Sequence, residues 1–186
     1  MMEKLVRFLQ NMDNRVLYAA LALIIAVPLL KPFKFAVFIN EDTRGVFEKV
    51  EKTPADKLIV LAAEWEAGTK GELGPQTAAI IEHLFMKGRK FAIISTNPSG
   101  SKLVENMVEA RASAYGKKYG VDWVNWGYKG AGGIVLMMQT LVKNVPKAVG
   151  ADIHGTPIEQ VPLMKDFKSI DQAGMVILVT GFVQIP

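Results

Sequence analysis

The chain of 186 residues contains no cysteine. This absence excludes disulfide bonds, thiolate nucleophiles and cysteine-based zinc sites. Histidine is scarce, with two residues, so any acid–base or metal chemistry depends on few imidazoles. Half of the residues are hydrophobic and 22% are charged, a composition that excludes a disordered chain. The length fits one domain of ordinary size.

Positive charge is also in short supply over most of the chain. Residues 1–35 hold five basic and two acidic side chains, so they contribute +3 of the net charge of +4 and leave +1 for the rest. A nucleic-acid-binding domain needs positive charge to neutralise phosphates. The sequence therefore predicts no nucleic-acid partner.

The longest apolar run, Val16 to Leu30, carries no charged residue. It predicts one transmembrane helix that extends to Ile39, with Lys31 and Lys34 reaching the headgroups on their apolar stems. A cleaved signal peptide is one alternative, but no cleavage site of small residues follows the run. A soluble core helix is the other, and the run lacks the polar positions of an amphipathic helix.

This interpretation divides the chain into two parts. Residues 1–39 are predicted to be a cytoplasmic stub and membrane anchor, in contact with the bilayer through residues 16–39, and residues 40–186 an extracytoplasmic α/β domain. The chain stops five residues after its last predicted strand. Either another element or chain covers that edge of the sheet, or the domain is truncated at its C-terminus.

Short apolar runs and helical patterns alternate after the anchor. Four runs are typical of strands buried on both faces, at 57–63, 90–96, 121–126 and 175–181. Helical patterns lie at 44–52, 75–87, 102–118 and 134–145. This alternation predicts a three-layer, mainly parallel α/β sheet of the Rossmann or flavodoxin type.

Ligands of open α/β sheets bind at the carboxyl ends of the strands, so the loops there are the first candidate sites. The loop after the first predicted strand supplies three carboxylates and an indole, from Glu64, Trp65, Glu66 and Glu72. Paired carboxylates bind a cation or share a proton. The alternative is a solvated loop, or an interface that uses the tryptophan.

The stretch from Tyr119 to Gly133 has the densest set of candidate binding residues. Its members are Asp122, Trp123, Asn125, Trp126, Tyr128, Lys129, Gly130, Gly132 and Gly133. The glycines let backbone N–H groups approach an anion at the start of the next helix, with Lys129 as a countercharge. The stretch is not a P-loop, because Gly133-Ile134 stands where Lys-Ser/Thr is required. A partner surface and a tight strand–helix turn are the alternatives.

The remaining candidates are weaker. Asp152 and His154 lie two residues apart, and in an extended loop they would share a metal ion, but spacing assigns no third ligand, so a surface loop without metal is predicted. His83 falls in a predicted helix among apolar residues and is predicted to be a packed, hydrogen-bonded residue rather than a base. No serine lies in the nucleophile elbow of hydrolases, so no catalytic residue is assigned.

The order of these features resembles a group of uncharacterised bacterial and archaeal membrane-anchored proteins, in which an α/β domain follows an N-terminal transmembrane helix. The resemblance depends on Asp13 with Arg15, Glu72 to Pro75, His83-Leu84-Phe85, Tyr119 to Gly133, Asp152 with Gly155-Thr156-Pro157, and Pro162-Leu163-Met164. It implies a membrane anchor and, for some members, a second hydrophobic segment. It implies no activity, substrate or catalytic residue.

The sequence favours a membrane-anchored α/β binding or assembly subunit of a membrane complex, with residues 64–72 and 122–133 as its functional surface. Its partners are then other membrane proteins or further copies of the chain. The alternative is a membrane-tethered enzyme or sensor that binds a nucleotide or other anion at the Gly127 to Gly133 turn. The sequence assigns no cofactor.

Overall fold

The computed structural model describes residues 13–31, 39–130 and 134–181. The chain divides into two units between Asn40 and Glu41. The first unit contains one described helix, and the second contains the sheet and the remaining helices.

Helix α1, Asn14–Leu30, forms the described part of the first unit. The Asp13 carboxylate accepts a hydrogen bond from the Arg15 N–H at 2.9 Å and caps the helix. The helix has 17 residues, or about 25 Å at 1.5 Å per residue, which is less than the roughly 30 Å of a bilayer core.

Among the described residues, no helix combines the length and apolar character that crossing a membrane requires. The predicted transmembrane helix at 16–39 is therefore wrong, and so are the membrane anchor and the single-pass location with an extracytoplasmic domain. The apolar run was identified correctly, but its helix ends at Leu30, two residues after Pro28. Residues 32–38 of the predicted span lie outside the described residues.

The second unit contains a four-stranded sheet in which every neighbouring pair is parallel. The strands are β1 Ile59–Glu64, β2 Phe91–Ser95, β3 Trp123–Tyr128 and β4 Met175–Thr180. Their order across the sheet is β3-β2-β1-β4, with Ile59 aligned between Phe91 and Met175. The predicted α/β fold with a parallel sheet is confirmed.

Helices cover both faces of this sheet. They are α2 Glu41–Lys52, α3 Lys70–Met86, α4 Gly100–Ala112, α5 Ile134–Lys143 and α6 Val145–Val149. Helix α3 begins five residues before Pro75, which was predicted to start it. Pro75 is the sixth residue of the helix and has no N–H to donate to the carbonyl of Gly71, so the helix lacks one hydrogen bond there.

The side chains of β1 alternate between two apolar cores, as the period of two in a strand requires. Ile59, Leu61 and Ala63 pack in the core beneath α3 and α4. Val60 packs in the other core, with Trp126 and residues of α5 and α6. The two cores fix the faces of the sheet and therefore the elements that meet at its carboxyl end.

Helix α4 starts in close contact with the carboxyl ends of β1 and β2. The Ser95 hydroxyl donates a hydrogen bond to the Ala63 carbonyl at 2.5 Å. A Cβ atom at Gly100 would lie 2.5 Å from that carbonyl oxygen and 2.6 Å from the Ser95 hydroxyl oxygen. Glycine at position 100 therefore sets how closely α4 approaches the sheet.

We predict that Gly100→Ala lowers the free energy of unfolding by about 3 kcal/mol, because the added methyl group must displace backbone atoms. Gly45→Ala in α2 is the matched control, since its added Cβ has no neighbour within 4 Å. Alanine in a helix interior raises stability by up to about 1 kcal/mol over glycine. Chemical denaturation of both variants measures the difference, and equal effects would contradict the packing described here.

Candidate metal centre

Helix α4 turns one face toward the sheet, and that face contains a carboxylate. Its buried residues are Gly100, Ser101, Val104, Glu105, Val108 and Ala112. Glu105 has no exposed surface. A buried charge costs several kcal/mol unless other groups compensate for it, so the neighbours of Glu105 are informative.

The two oxygens of Glu105 have different surroundings. Oε2 accepts a hydrogen bond from Lys102 Nζ at 2.6 Å, and this contact raises the pKa of Lys102. Oε1 lies 3.1 Å from His154 Nε2, but the contact lacks the geometry of a hydrogen bond. Within the described part of the chain, Oε1 is therefore a buried acceptor without a donor.

Glu109 follows Glu105 by one helical turn and lies on the same side of α4. Ligand atoms of Glu105, Glu109 and His154 all lie within 4.8 Å of one another. The Glu109 side chain is exposed, and 46% of the His154 side chain is exposed. The cluster therefore has a buried ligand on the side of the sheet and two ligands that face solvent.

His154 lies in a tight turn that is closed by hydrogen bonds to the Asp152 carboxylate. Asp152 Oδ1 accepts the N–H groups of His154 at 3.0 Å and Thr156 at 2.8 Å. Its Oδ2 accepts the Tyr119 hydroxyl at 2.8 Å. Gly155 has a φ of +83°, a backbone conformation that favours glycine.

Tyr119 connects this turn to the imidazole. Burial raises the pKa of Tyr119 above its ordinary value, and the hydrogen bond to Asp152 adds to the effect. The Tyr119 ring also meets the His154 ring edge to face, with 4.8 Å between the ring centres. The position of the imidazole is thus fixed by backbone hydrogen bonds and by ring packing.

The donor set suits a divalent transition-metal ion. Imidazole and carboxylate groups bind zinc with Zn–N and Zn–O distances of about 2.0–2.2 Å, which puts neighbouring ligand atoms about 3.4 Å apart. The 3.1 Å between Glu105 and His154 is close to that separation. The ligand atom of Glu109 lies within 4.8 Å of the other two.

Strand β3 anchors the turn from the other side. The Ile153 N–H donates to the Asn125 carbonyl at 2.9 Å. The buried Asn125 side chain donates to the Ser101 carbonyl at 3.0 Å and accepts the Gly127 N–H at 2.9 Å. Asn125 therefore connects α4, β3 and the turn that carries His154.

The predicted glycine turn begins beside this cluster. Lys129 Nζ donates to the Ala151 carbonyl at 2.9 Å, and burial lowers the pKa of Lys129. Tyr128 is partly exposed, and its ring lies against Gly130. Gly132 and Gly133, which the anion-site prediction also required, lie outside the described residues.

The other predicted site residues of β3 are not brought together. Trp123 and Trp126 are buried in different cores on opposite faces of the sheet. Asp122 precedes the strand, at the opposite end of the sheet from Lys129, and accepts the Lys118 N–H at 2.9 Å. The structure therefore places this stretch in two cores and at two ends of the sheet.

The carboxylates after β1 are also separated. Glu64 accepts the N–H of Thr96 at 2.8 Å and a second hydrogen bond from the Thr96 hydroxyl, which joins the ends of β1 and β2. Trp65 is buried, whereas Glu66 and Glu72 are exposed. Glu64 therefore holds the ends of two strands together, whereas Glu66 and Glu72 face solvent.

His83 lies in a groove of about 840 Å³ between α2 and α3. Its Nε2 lies 2.9 Å from Glu51 Oε1, and its ring stacks on Phe47 with 4.4 Å between the ring centres. Lys87 Nζ lies 2.9 Å from the other Glu51 oxygen. Glu51 therefore joins α2 to the end of α3.

Sequence reasoning missed Glu105, Glu109 and Lys102. The available signal was a glutamate on a largely apolar helix face, since Val108 and Ala112 lie on the same buried face as Glu105. The metal pair considered from sequence, Asp152 with His154, differs from the observed cluster. Asp152 closes the turn, and the imidazole faces Glu105 and Glu109.

No protein-family model, curated protein or solved structure matches the chain. The resemblance to membrane-anchored α/β proteins stays a prediction.

We predict that Tyr119→Phe lowers the free energy of unfolding by about 1.5–3 kcal/mol, because it removes a hydrogen bond to a buried carboxylate. Tyr115→Phe is the control, since the Tyr115 ring packs on Phe85 and its hydroxyl has no hydrogen bond in the described part of the chain. We expect a change below about 0.5 kcal/mol there. If Tyr119→Phe loses no more stability than Tyr115→Phe, the Tyr119 hydroxyl does not support the turn and the ring, which both variants retain, is sufficient.

A second prediction concerns acid stability. Hydrogen bonds with His83 and Lys87 lower the pKa of Glu51 below its ordinary value of 4.5. A carboxyl group with a lowered pKa stabilises the fold above its unfolded pKa, and this stability is lost as pH falls through the folded pKa. Between about pH 5 and 3, the wild-type chain should therefore lose stability more steeply than Glu51→Gln.

Denaturant titrations across this range measure the two slopes. Lys87→Met removes one of the two partners, so we expect a slope between those of the wild type and Glu51→Gln. Parallel curves for the wild type and Glu51→Gln would contradict the prediction.

Proposed function

We propose that the α/β domain binds a divalent transition-metal ion through Glu105, Glu109 and His154. The observation that carries this proposal is the wholly buried Glu105 Oε1, which faces His154 Nε2 at 3.1 Å and has no hydrogen-bond donor in the described part of the chain. Buried polar atoms are rarely left without partners. A cation bound between the three side chains supplies the missing partner.

The ligand types select the class of metal. Imidazole favours zinc, iron, cobalt and related ions, whereas magnesium and calcium prefer oxygen ligands alone. Three protein ligands are the usual number in catalytic zinc sites, where water or substrate takes the remaining position. We therefore propose a transition-metal site in which one coordination position is open to water or another ligand. Zn²⁺ is the probe ion.

The groups around the ligands support this function. Metal-bound histidines need an outer layer of contacts that fixes their orientation, and loss of such contacts costs about 10–100-fold in affinity. Asp152 binds the backbone N–H of His154, and Tyr119 packs on its ring. Lys102 holds the second oxygen of Glu105, which leaves Oε1 directed at the cluster.

Binding of Zn²⁺ to the full chain tests the proposal by calorimetry. We expect one ion per chain in the wild type. Affinity should fall by more than about tenfold, the low end of the effect of a supporting residue, in Glu105→Gln and in His154→Ala. Bound metal also stabilises the folded state, by about 2.7 kcal/mol at a free concentration of 100 times Kd, so thermal unfolding gives a second readout.

His83→Ala is the matched control, because it changes the other histidine of the chain and leaves the cluster intact. This variant should bind Zn²⁺ with wild-type affinity. The proposal fails if the wild type binds no ion, or if Glu105→Gln and His154→Ala bind as tightly as His83→Ala. Circular dichroism of each variant shows whether it is folded.

The functions predicted from the sequence stay predictions. Both the assembly subunit and the nucleotide or anion sensor were assigned to a membrane-anchored chain, and that anchor is wrong. Metal binding at Glu105, Glu109 and His154 needs no anchor.

A further inference from the structure

The proposed metal site is open toward solvent. Its deepest ligand, Glu105, is fully buried, whereas Glu109 is exposed and the His154 side chain is 46% exposed. An ion with three protein ligands retains at least one coordination position. Because the buried ligand occupies the inner side, a ligand from solution has access from the outer side.

Charge indicates the kind of ligand. A divalent ion neutralises Glu105 and Glu109, and a neutral imidazole adds no charge. Lys102 then leaves one positive charge in excess, since its ammonium group is 2.6 Å from Glu105 and is also attracted by Glu109. Its side chain is 60% exposed, so a ligand from solution can reach the charge.

Two further charged side chains at the turn that carries His154 offset each other. Asp152 is buried in the turn that carries His154, and Lys129 donates to the Ala151 carbonyl of the same turn. The Lys129 ammonium group and the Asp152 carboxylate attract each other. The site loaded with a divalent ion therefore keeps an excess of one positive charge.

We propose that the metal-loaded site binds a small carboxylate ligand. One carboxylate oxygen takes an open coordination position of the ion, and Lys102 supplies the countercharge. This inference rests on the proposed metal-binding function. A single negative charge balances the site, whereas a phosphate dianion leaves an excess of negative charge beside Glu105 and Glu109.

The test uses the full chain loaded with Co²⁺, whose visible absorption reports changes in coordination. Addition of acetate should change the absorption in a saturable manner, and phosphate should bind more weakly than acetate. At Co²⁺ concentrations that saturate each variant, Lys102→Gln should weaken acetate binding by about tenfold, the effect of removing a contact between charged groups. Lys52→Gln, which removes a surface lysine paired with Glu48 on α2, should leave acetate binding unchanged.

Lys102 also partners a buried carboxylate, so its loss can disturb the fold. Lys102→Arg keeps the charge, and we expect it to retain acetate binding where Lys102→Gln does not. Loss of binding in both variants would assign Lys102 a structural role and overturn its role as countercharge.

The possible failures are distinguishable. A chain that binds neither Zn²⁺ nor Co²⁺ overturns both the metal proposal and the carboxylate inference. A chain that binds the ion but shows no response to acetate, or that prefers phosphate, overturns the carboxylate inference alone.

Discussion

The burial of one carboxylate, Glu105, is the constraint to which the surrounding structure responds. A charge removed from water needs partners, and Lys102 supplies one on the same helix. The other side of the carboxylate faces His154, whose position depends on the turn closed by Asp152 and on the ring of Tyr119. Helix α4 and the turn at 151–157 therefore meet at one buried oxygen atom.

Sheet topology makes this meeting possible. Helix α4 connects β2 to β3, which are neighbours in the sheet, so it crosses directly over both strands. Glycine at position 100 allows the helix to approach the strand ends closely. The chain then returns from α6 to β3, where the Ile153 N–H meets the Asn125 carbonyl. Two segments that are distant in sequence thus reach the same end of β3.

The strands and most helices were predictable because apolar runs and helical spacing are local patterns. The predicted transmembrane helix was wrong. The apolar composition of residues 16–30 did not reveal that the helix ends at Leu30. The tryptophans near Asn125 looked like a surface because they are dense in sequence, yet a strand sends alternate side chains to opposite cores. Glu105 and His154 are far apart in the sequence, so no spacing pattern connects them. The signal that the sequence offered was a glutamate on an apolar helix face.

A comparison of the two buried carboxylates, Asp152 and Glu105, shows how Glu105 differs from a charge that serves only the fold. Asp152 uses both oxygens, which together accept two backbone N–H groups and a hydroxyl group. Glu105 satisfies one oxygen and leaves the other directed at an imidazole without a hydrogen bond. A carboxylate needed only for folding gains most from complete partnering. The incomplete partnering of Glu105, beside a second carboxylate and a histidine, is the arrangement that a bound cation completes.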